Sequence, residues 1–316
     1  MITKYILLIA LIISSIQAKE IKPAFILKSK GIINDFVIDN AKLYVANDMG
    51  SIEIFDLYKQ KLIDEIKLKP LKTGRNDYVY AKIISVDRYK GKTLIVSTAI
   101  KGYRNVWIHD GKKLKNIINS NKKLTVREAR FIDENNFMLA TVGYELALYN
   151  TTDNYPYYTN HMEPSAFSDI HLSRNKQVIA SASESGNVMI SDVKTGKLIQ
   201  ILDSQNVDNI YSVAYSKGTV ITGGKDRRVG VYQKNTAAYH IKSNFFVYSV
   251  SITPSAKFGI YSSGLDNDLQ LFNIKTKEKT HRLIGHEAIP TTIKFINDKE
   301  LFSSGYENKI FYWKLY

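Results

Sequence analysis

The residues with the most obvious chemical potential are the six histidines: His109, His161, His171, His240, His281 and His286. No HExxH pattern occurs, and no pair two apart on a strand. His281 and His286 are five apart, which suits neither one helix face nor one strand face. Only histidines or acids gathered from distant parts of the chain would make a metal site. The string Asp266-Asn267-Asp268 resembles the start of a calcium loop, but such a loop needs Gly at its sixth position and Glu at its twelfth. Leu271 and Lys277 stand there, so a turn between strands is expected. No Gly-rich phosphate cradle and no GxSxG elbow is present. Ser262-Ser263-Gly264 looks like a nucleophile turn, yet Ser303-Ser304-Gly305 repeats it, as structure rather than chemistry would. Cysteine is absent, which excludes thiol nucleophiles, zinc–thiolate sites, iron–sulfur clusters and Cys-bound haem. No cofactor and no catalytic residue is expected.

The elements that would position any site are short. After residue 30, apolar runs alternate with polar residues and are punctuated by Gly, Asn and Asp, the pattern of strands and tight turns. One unit recurs. An apolar strand ends in small residues, an acidic or Asn turn follows, and a second strand ends in an aromatic. Copies start at Lys42, Lys92, Asn136, Lys176, Gly218, Lys257 and Lys299, spaced by 50, 44, 40, 42, 39 and 42 residues. A period of about 40–45 residues is that of a four-stranded propeller blade. Small side chains are needed where strands converge. Asp48, Glu184, Gly186, Asp226 and Asp266 turn the chain, and Phe55, Tyr149, Tyr232, Phe272 and Trp313 are expected between blades. The chain ends just after a third strand, so Pro23–Ser29 is expected to supply the last blade's outer strand and remove a free edge. Thr151–Phe167, with its aromatics and two prolines, reads as an outer strand plus a bulky surface loop.

The unit resembles the WD40 repeat. In Asn187–Leu202, Ser191-Asp192 stands where Trp-Asp would be. Phe55-Asp56, Phe272-Asn273 and Trp313-Lys314 fill the same slot, and Gly285-His286 fills the Gly-His slot. The resemblance covers nearly all of residues 19–316 and implies an all-β, seven-bladed WD40-like β-propeller, with His286 structural. Quinone-dependent dehydrogenase propellers carry Trp-rich blade motifs, whereas this chain has only Trp107 and Trp313.

Residues 1–18 read as a signal peptide: Lys4, then the apolar run Tyr5–Ile13, then small residues before a cut after Ala18. The run is shorter than the roughly 20 residues of a bilayer-spanning helix. A periplasmic, single-domain protein spanning 19–316 is expected, with no membrane span in the mature chain. The net charge of +14 comes from 35 Lys against 9 Arg. Lysines spread along the whole chain argue against nucleic acid, whose readers concentrate basic residues on one element. They are consistent with a soluble surface and some attraction to acidic partners.

Surfaces remain as the working parts. The turns between second and third strands hold Lys101, Tyr103, Arg104, Tyr144, Lys225, Arg227, Arg228 and Tyr306, and Phe245-Phe246 is expected on the same face. Tyr and Arg combine area with hydrogen-bonding tips and dominate binding hot spots. Tyr103, Arg104, Tyr144, Lys225, Arg227, Arg228, Phe245, Phe246 and Tyr306 are therefore the candidate partner-binding residues. The expected function is a non-catalytic scaffold for a protein partner. A propeller enzyme with a site on the central axis and an envelope protein drawn to anionic surfaces are the alternatives. The export signal, degenerate repeats and Lys/Ile/Asn-rich composition also resemble the NapL-type accessory proteins of ε-proteobacterial periplasmic nitrate reductase systems. That resemblance implies support of a reductase's maturation or electron supply.

Overall fold

The computed structural model describes residues 19–315; the signal-peptide reading falls on residues outside that range. Six four-stranded antiparallel meanders, each running from an inner to an outer strand, and a last one of three strands follow one another. Their inner strands are Ile33–Asp39, Ile83–Tyr89, Val126–Phe131, Phe167–Leu172, Ile210–Ser216, Val250–Ile252 and Pro290–Phe295. These begin blades 1 to 7. The seven sequence copies fall on the second and third strands of each blade, such as Glu300–Gly305 and Lys309–Lys314 in blade 7.

The ring is held by seven apolar clusters, one between each pair of neighbouring blades. A single blade is apolar on both faces and buries them only by stacking on its neighbours. The predicted aromatics lie in these seams. Phe55 meets Phe302 and Tyr312 across the seam from blade 7 to blade 1, and Phe272 meets Val229 and Val231 of blade 5. Trp313 packs with Ile260 and Leu271 of blade 6. Small strand ends are required as well. A Cβ on Gly305 would come 2.4 Å from the Ile289 carbonyl oxygen.

Closure follows the expectation. Phe25–Lys28 is antiparallel to Lys309–Lys314, with Phe25 opposite Tyr312 and stacked on its ring at 4.6 Å. One strand was not foreseen: Lys19–Ile21 runs parallel to Lys279–Leu283 and gives blade 6 a fifth strand. The N-terminal segment thus ties blades 6 and 7 together. The expected loop after blade 3 is short. Tyr155–His161 forms the outer strand and only residues 162–166 lead on to blade 4. The long connection is residues 68–82, between blades 1 and 2, which carries a small hairpin of Leu71–Lys72 and Tyr78–Val79.

Around the axis, inner strands are clamped by side chains. Val86 N–H donates to Asp35 Oδ2 at 3.0 Å, Phe131 N–H to Asp87 Oδ2 at 2.7 Å, and Val213 N–H to Asp169 Oδ2 at 2.9 Å. Each carboxylate reaches from one blade to the next. Ser249 Oγ donates to the Pro290 carbonyl at 2.9 Å, linking blades 6 and 7.

Candidate functional site

The meander sends alternate turns to opposite ends of the ring. The upper face carries the turns between second and third strands and the connections from each outer strand to the next inner strand. The lower face carries the remaining turns. Among the described residues, nine large apolar side chains stand exposed on the upper face: Ile32, Tyr78, Val79, Tyr80, Ile100, Val142, Val207, Leu265 and Tyr306. Two, Tyr58 and Ile296, do so on the lower face. The upper-face segments hold ten basic and ten acidic residues, so they are electrically balanced. An apolar, charge-balanced face rimmed by polar groups is the ordinary signature of a protein-binding surface.

Its densest part is an aromatic platform over blades 5 to 7. Tyr211 and Tyr248 stack with centroids 5.1 Å apart and planes 4° from parallel. Phe245 stacks on Phe246 at 5.1 Å, and both rings lie 6.2–6.3 Å from Tyr248. Burial, Tyr248, Asp208, Glu184 and Tyr306 all push the Tyr211 phenol above its usual pKa, and the Tyr306 N–H donates to the carbonyl of Ile289, which lines the same cleft as Phe245, Phe246 and Tyr248. Tyr306 is 62% exposed and Leu265 79%. Phe245, Phe246 and Tyr248 are half-buried: the platform is braced from beneath and open above.

The turns beside it are pinned by buried polar groups. In blade 7, His286 accepts or donates to Glu307 Oε1 and to Ser303 Oγ, both at 2.7 Å, and Trp313 Nε1 donates to Ser303 Oγ at 2.8 Å. His286 is therefore structural, as its Gly-His slot implied. In blade 5, Asp226 accepts from Val207 N–H at 2.9 Å and from Arg228 N–H at 3.0 Å. This holds Arg227 outward, with its backbone left-handed at φ 61°.

A channel of about 1960 Å³ runs along the axis. Its wall holds a buried charge network. Arg130 reaches Asp35 Oδ2 at 3.1 Å and Ser85 Oγ at 2.7 Å, and also contacts Glu128. Lys294 reaches Asp35 Oδ1 at 2.7 Å. Burial alone would raise Asp35, but Lys294, Arg130 and the Val86 N–H outweigh it and hold the carboxyl below its usual range. Glu128 is pushed up to about 8 by burial, with Asp169 and Asp35 adding to the rise against Arg130. Burial, then Lys294 and Arg130, push His171 down to about 4. The network joins blades 1, 2, 3 and 7 across the axis. Its cations are matched to carboxylates, and among the described residues no cluster of three or more His, Asp or Glu is arranged to hold a metal.

No family model matches the chain, and no curated protein matches it. Among solved structures it is similar to the β-propeller domain of Cps50 (Swd1) from Myceliophteria thermophila. The TM-score is 0.73 at 13% identity, covering 93% of this chain and 99% of that one. At that identity the likeness concerns the fold: the chain is a seven-bladed β-propeller.

Of the nine candidate residues, the structure brings Phe245, Phe246 and Tyr306 into one platform. Arg227 and Lys225 are exposed in the next turn, with Lys225 Nζ 3.4 Å from Asp208. Arg228 is partly committed inward, donating to the Gln205 carbonyl at 3.2 Å. Tyr103 and Arg104 lie apart on blade 2. Arg104 donates to the Gly102 and Tyr103 carbonyls, and burial and Arg127 both lower its pKa. Tyr144 is a correction. It is 0% exposed, its hydroxyl is 2.9 Å from Ser181 Oγ, and its ring packs against Phe167 in the seam between blades 3 and 4. Arg227 holds the same left-handed conformation at the equivalent position and points outward, so what draws the Tyr144 ring inward is its contact with Phe167 and Ser181. Tyr211 and Tyr248 were missed. Both stand in a Tyr-Ser-Val string, 211–213 and 248–250, at the start of an inner strand. That repetition was the available signal.

Proposed function

We propose that this chain is a non-catalytic scaffold that docks a protein partner on the upper face, with the aromatic platform of Tyr211, Phe245, Phe246, Tyr248 and Tyr306 as its centre. The observation that carries the reading is the unequal distribution of exposed apolar side chains, nine above and two below, around stacked aromatics at the channel mouth. Aromatic anchors ringed by near-neutral polar turns are how such interfaces concentrate affinity. Arg227 and Leu265 flank the platform and extend the contact across blades 5 to 7.

The finer reading concerns compartment and partner. Export to a bacterial periplasm by residues 1–18, and a role beside a periplasmic nitrate reductase in its maturation or electron supply, follow from the resemblance to NapL-type accessory proteins. A chain with neither Cys nor a haem motif would serve there by positioning other proteins.

Capture from periplasmic extract with mass spectrometry tests both levels. The wild-type propeller should retain a defined protein, and a variant carrying Arg227→Glu, Leu265→Ser and Tyr306→Ala should lose at least tenfold of it while unfolding at an unchanged temperature. These three side chains are exposed and support no buried bond. Equal recovery by the variant would remove the face from consideration. Recovery of a partner unrelated to a reductase system would leave the scaffold and discard the nitrate reductase role.

A further inference from the structure

The lower face has the opposite character. Its turns carry fourteen Lys and Arg against six Asp and Glu, an excess of eight positive charges where the upper face has none. The basic residues come from six blades: Lys59 in blade 1, Lys90, Lys112 and Lys113 in blade 2, then Arg174, Lys176, Lys194 and Lys197 in blade 4. Lys217 and Lys234 continue in blade 5, Lys257, Lys275 and Lys277 in blade 6, and Lys299 in blade 7. All but Lys176 are exposed, and none lies within ion-pair distance of a carboxylate among the described residues. On the upper face, by contrast, Lys30, Lys225 and the adjoining Lys309 are each paired.

Five of the six acids of the lower face are already engaged, Glu278 by the Thr276 hydroxyl at 3.0 Å. Asp110 accepts from the Lys112 and Lys113 N–H groups, Asp133 from Asn135 and Asn136, and Asp298 from Ser255. Glu134 is bound by Lys92. The carboxylates therefore mostly build the turns while most of the ammonium groups project from them; Lys176 is bonded to the Phe131 carbonyl and lies over Tyr89, and Lys90 and Lys277 lie over the Tyr89 and Tyr239 rings. Thirteen of the fourteen cations are lysines. Lysine is a mobile point charge without the bidentate fork that reads a shaped carboxylate or phosphate. Point charges spread over one end of a disc match a broad, laterally uniform anionic plane better than a folded acidic epitope. Tyr58, 87% exposed beside Lys59, supplies the amphipathic ring that settles at a lipid headgroup boundary.

We infer that the lower face docks on an anionic phospholipid bilayer, leaving the upper face turned away from the membrane toward its partner. Each basic residue close to an anionic leaflet gains roughly fivefold in binding, and the gain decays within a Debye length. The test uses the propeller beginning at Lys19, which contains every blade and both N-terminal strands and lacks the apolar run Tyr5–Ile13. It should co-sediment at low salt with vesicles of phosphatidylcholine plus phosphatidylglycerol, and not with phosphatidylcholine alone. High salt should release it. Reversal of Lys194, Lys197, Lys275 and Lys277 to Glu should reduce the bound fraction at least tenfold, about the effect expected of losing several surface cations. Reversal of Lys69, Lys72, Lys101 and Lys123 on the upper face should change it less than twofold. Gln at the four lower positions, together with a thermal unfolding curve, separates lost charge from lost fold. Equal losses from both faces would show that net charge alone acts. Equal binding to neutral vesicles would exclude the electrostatic basis, and retention on immobilised polyglutamate without vesicle binding would replace the membrane by an acidic protein.

Discussion

Replacing His286 by Ala tests the claim that the upper-face turns are held by buried polar groups. The imidazole is fully enclosed and makes two 2.7 Å bonds, to Glu307 Oε1 and Ser303 Oγ. Ser303 would keep its bond from Trp313 Nε1, so that side of the loss is small. Glu307 would not be so fortunate: its side chain is 9% exposed and its Oε2 already has no partner. A buried group left unpaired costs about 1–3 kcal/mol, more when charged. The vacated imidazole also withdraws from Phe311, whose ring centroid is 4.1 Å away, and from Trp313. Together these give a loss of about 4 kcal/mol, most of it from stranding the carboxylate. Urea unfolding monitored by tryptophan fluorescence would report it, since Trp313 sits in the network.

The double variant carries the sharper message. If the cost lies in the stranded carboxylate, adding Glu307→Ala to His286→Ala should recover at least 1 kcal/mol, so the two changes are strongly non-additive. Additive losses, or a His286→Ala cost below 1 kcal/mol, would show that the histidine merely fills space. A parallel fall in partner capture would tie the brace to the platform, because Glu307 and Tyr306 share one turn.

His171→Gln should flatten the acid limb of the stability curve. The folded-state pKa of His171 lies at about 4, below its unfolded value of 6.5, so its contribution is present above pH 6.5 and fades as pH falls toward 4. The wild type should lose about 2 kcal/mol across that window and the variant much less, read from denaturant midpoints at pH 7 and pH 5. Gly305→Ala should cost about 2 kcal/mol or more, because the new methyl meets backbone at the Ile289 carbonyl and not a side chain that can yield. An unchanged melting temperature would contradict that packing.

Much of the fold was legible because its determinants are local and repeated. Gly305 and Ser303-Ser304 mark a strand end, and Trp313 marks the seam seven or more residues later, wherever the rest of the ring stands. The strand from Phe25 was legible for a different reason: an unpaired last blade needs an edge partner. Lys19–Ile21 was not, since three residues of mixed polarity carry no period. The site was legible only as far as turn membership. Tyr144 shares the turn position and the left-handed backbone of Arg227, which points outward, but a seat beside Phe167 and Ser181 of the next blade takes its ring inward, and no local pattern reports a seat built by a distant strand. Tyr211 and Tyr248 were hidden for the converse reason. They sit at the ends of inner strands, where alternation predicts burial. Yet the register of blade 5 slips between Ile210 and Ser212, so the intervening Tyr211 is an unpaired bulge residue directed into the channel mouth.

The bulge is a rule of this ring. Asn34, Ile84, Arg127, Ser168, Tyr211 and Thr291 each fall at a register shift one residue into an inner strand, and each lines the upper end of the channel. A bulge frees one side chain from the pleat without disturbing the ladder beyond it. The next residue is then free to reach across: Asp35, Ser85, Asp169 and Ser212 all bond the neighbouring inner strand. One backbone device therefore does two things, clamping adjacent blades and presenting a variable residue at the mouth. The four clamping side chains are Asp or Ser, whereas the mouth position ranges from Ser to Arg to Tyr. Specificity can change there while the ring stays closed. The aromatic pair Tyr211–Tyr248 is where this chain has used that freedom, and Arg127 beside Arg104 gives the opposite rim a basic character. A partner seated on the upper face would meet aromatic rings on one side of the axis and guanidinium groups on the other, an arrangement that fixes its orientation as well as its affinity.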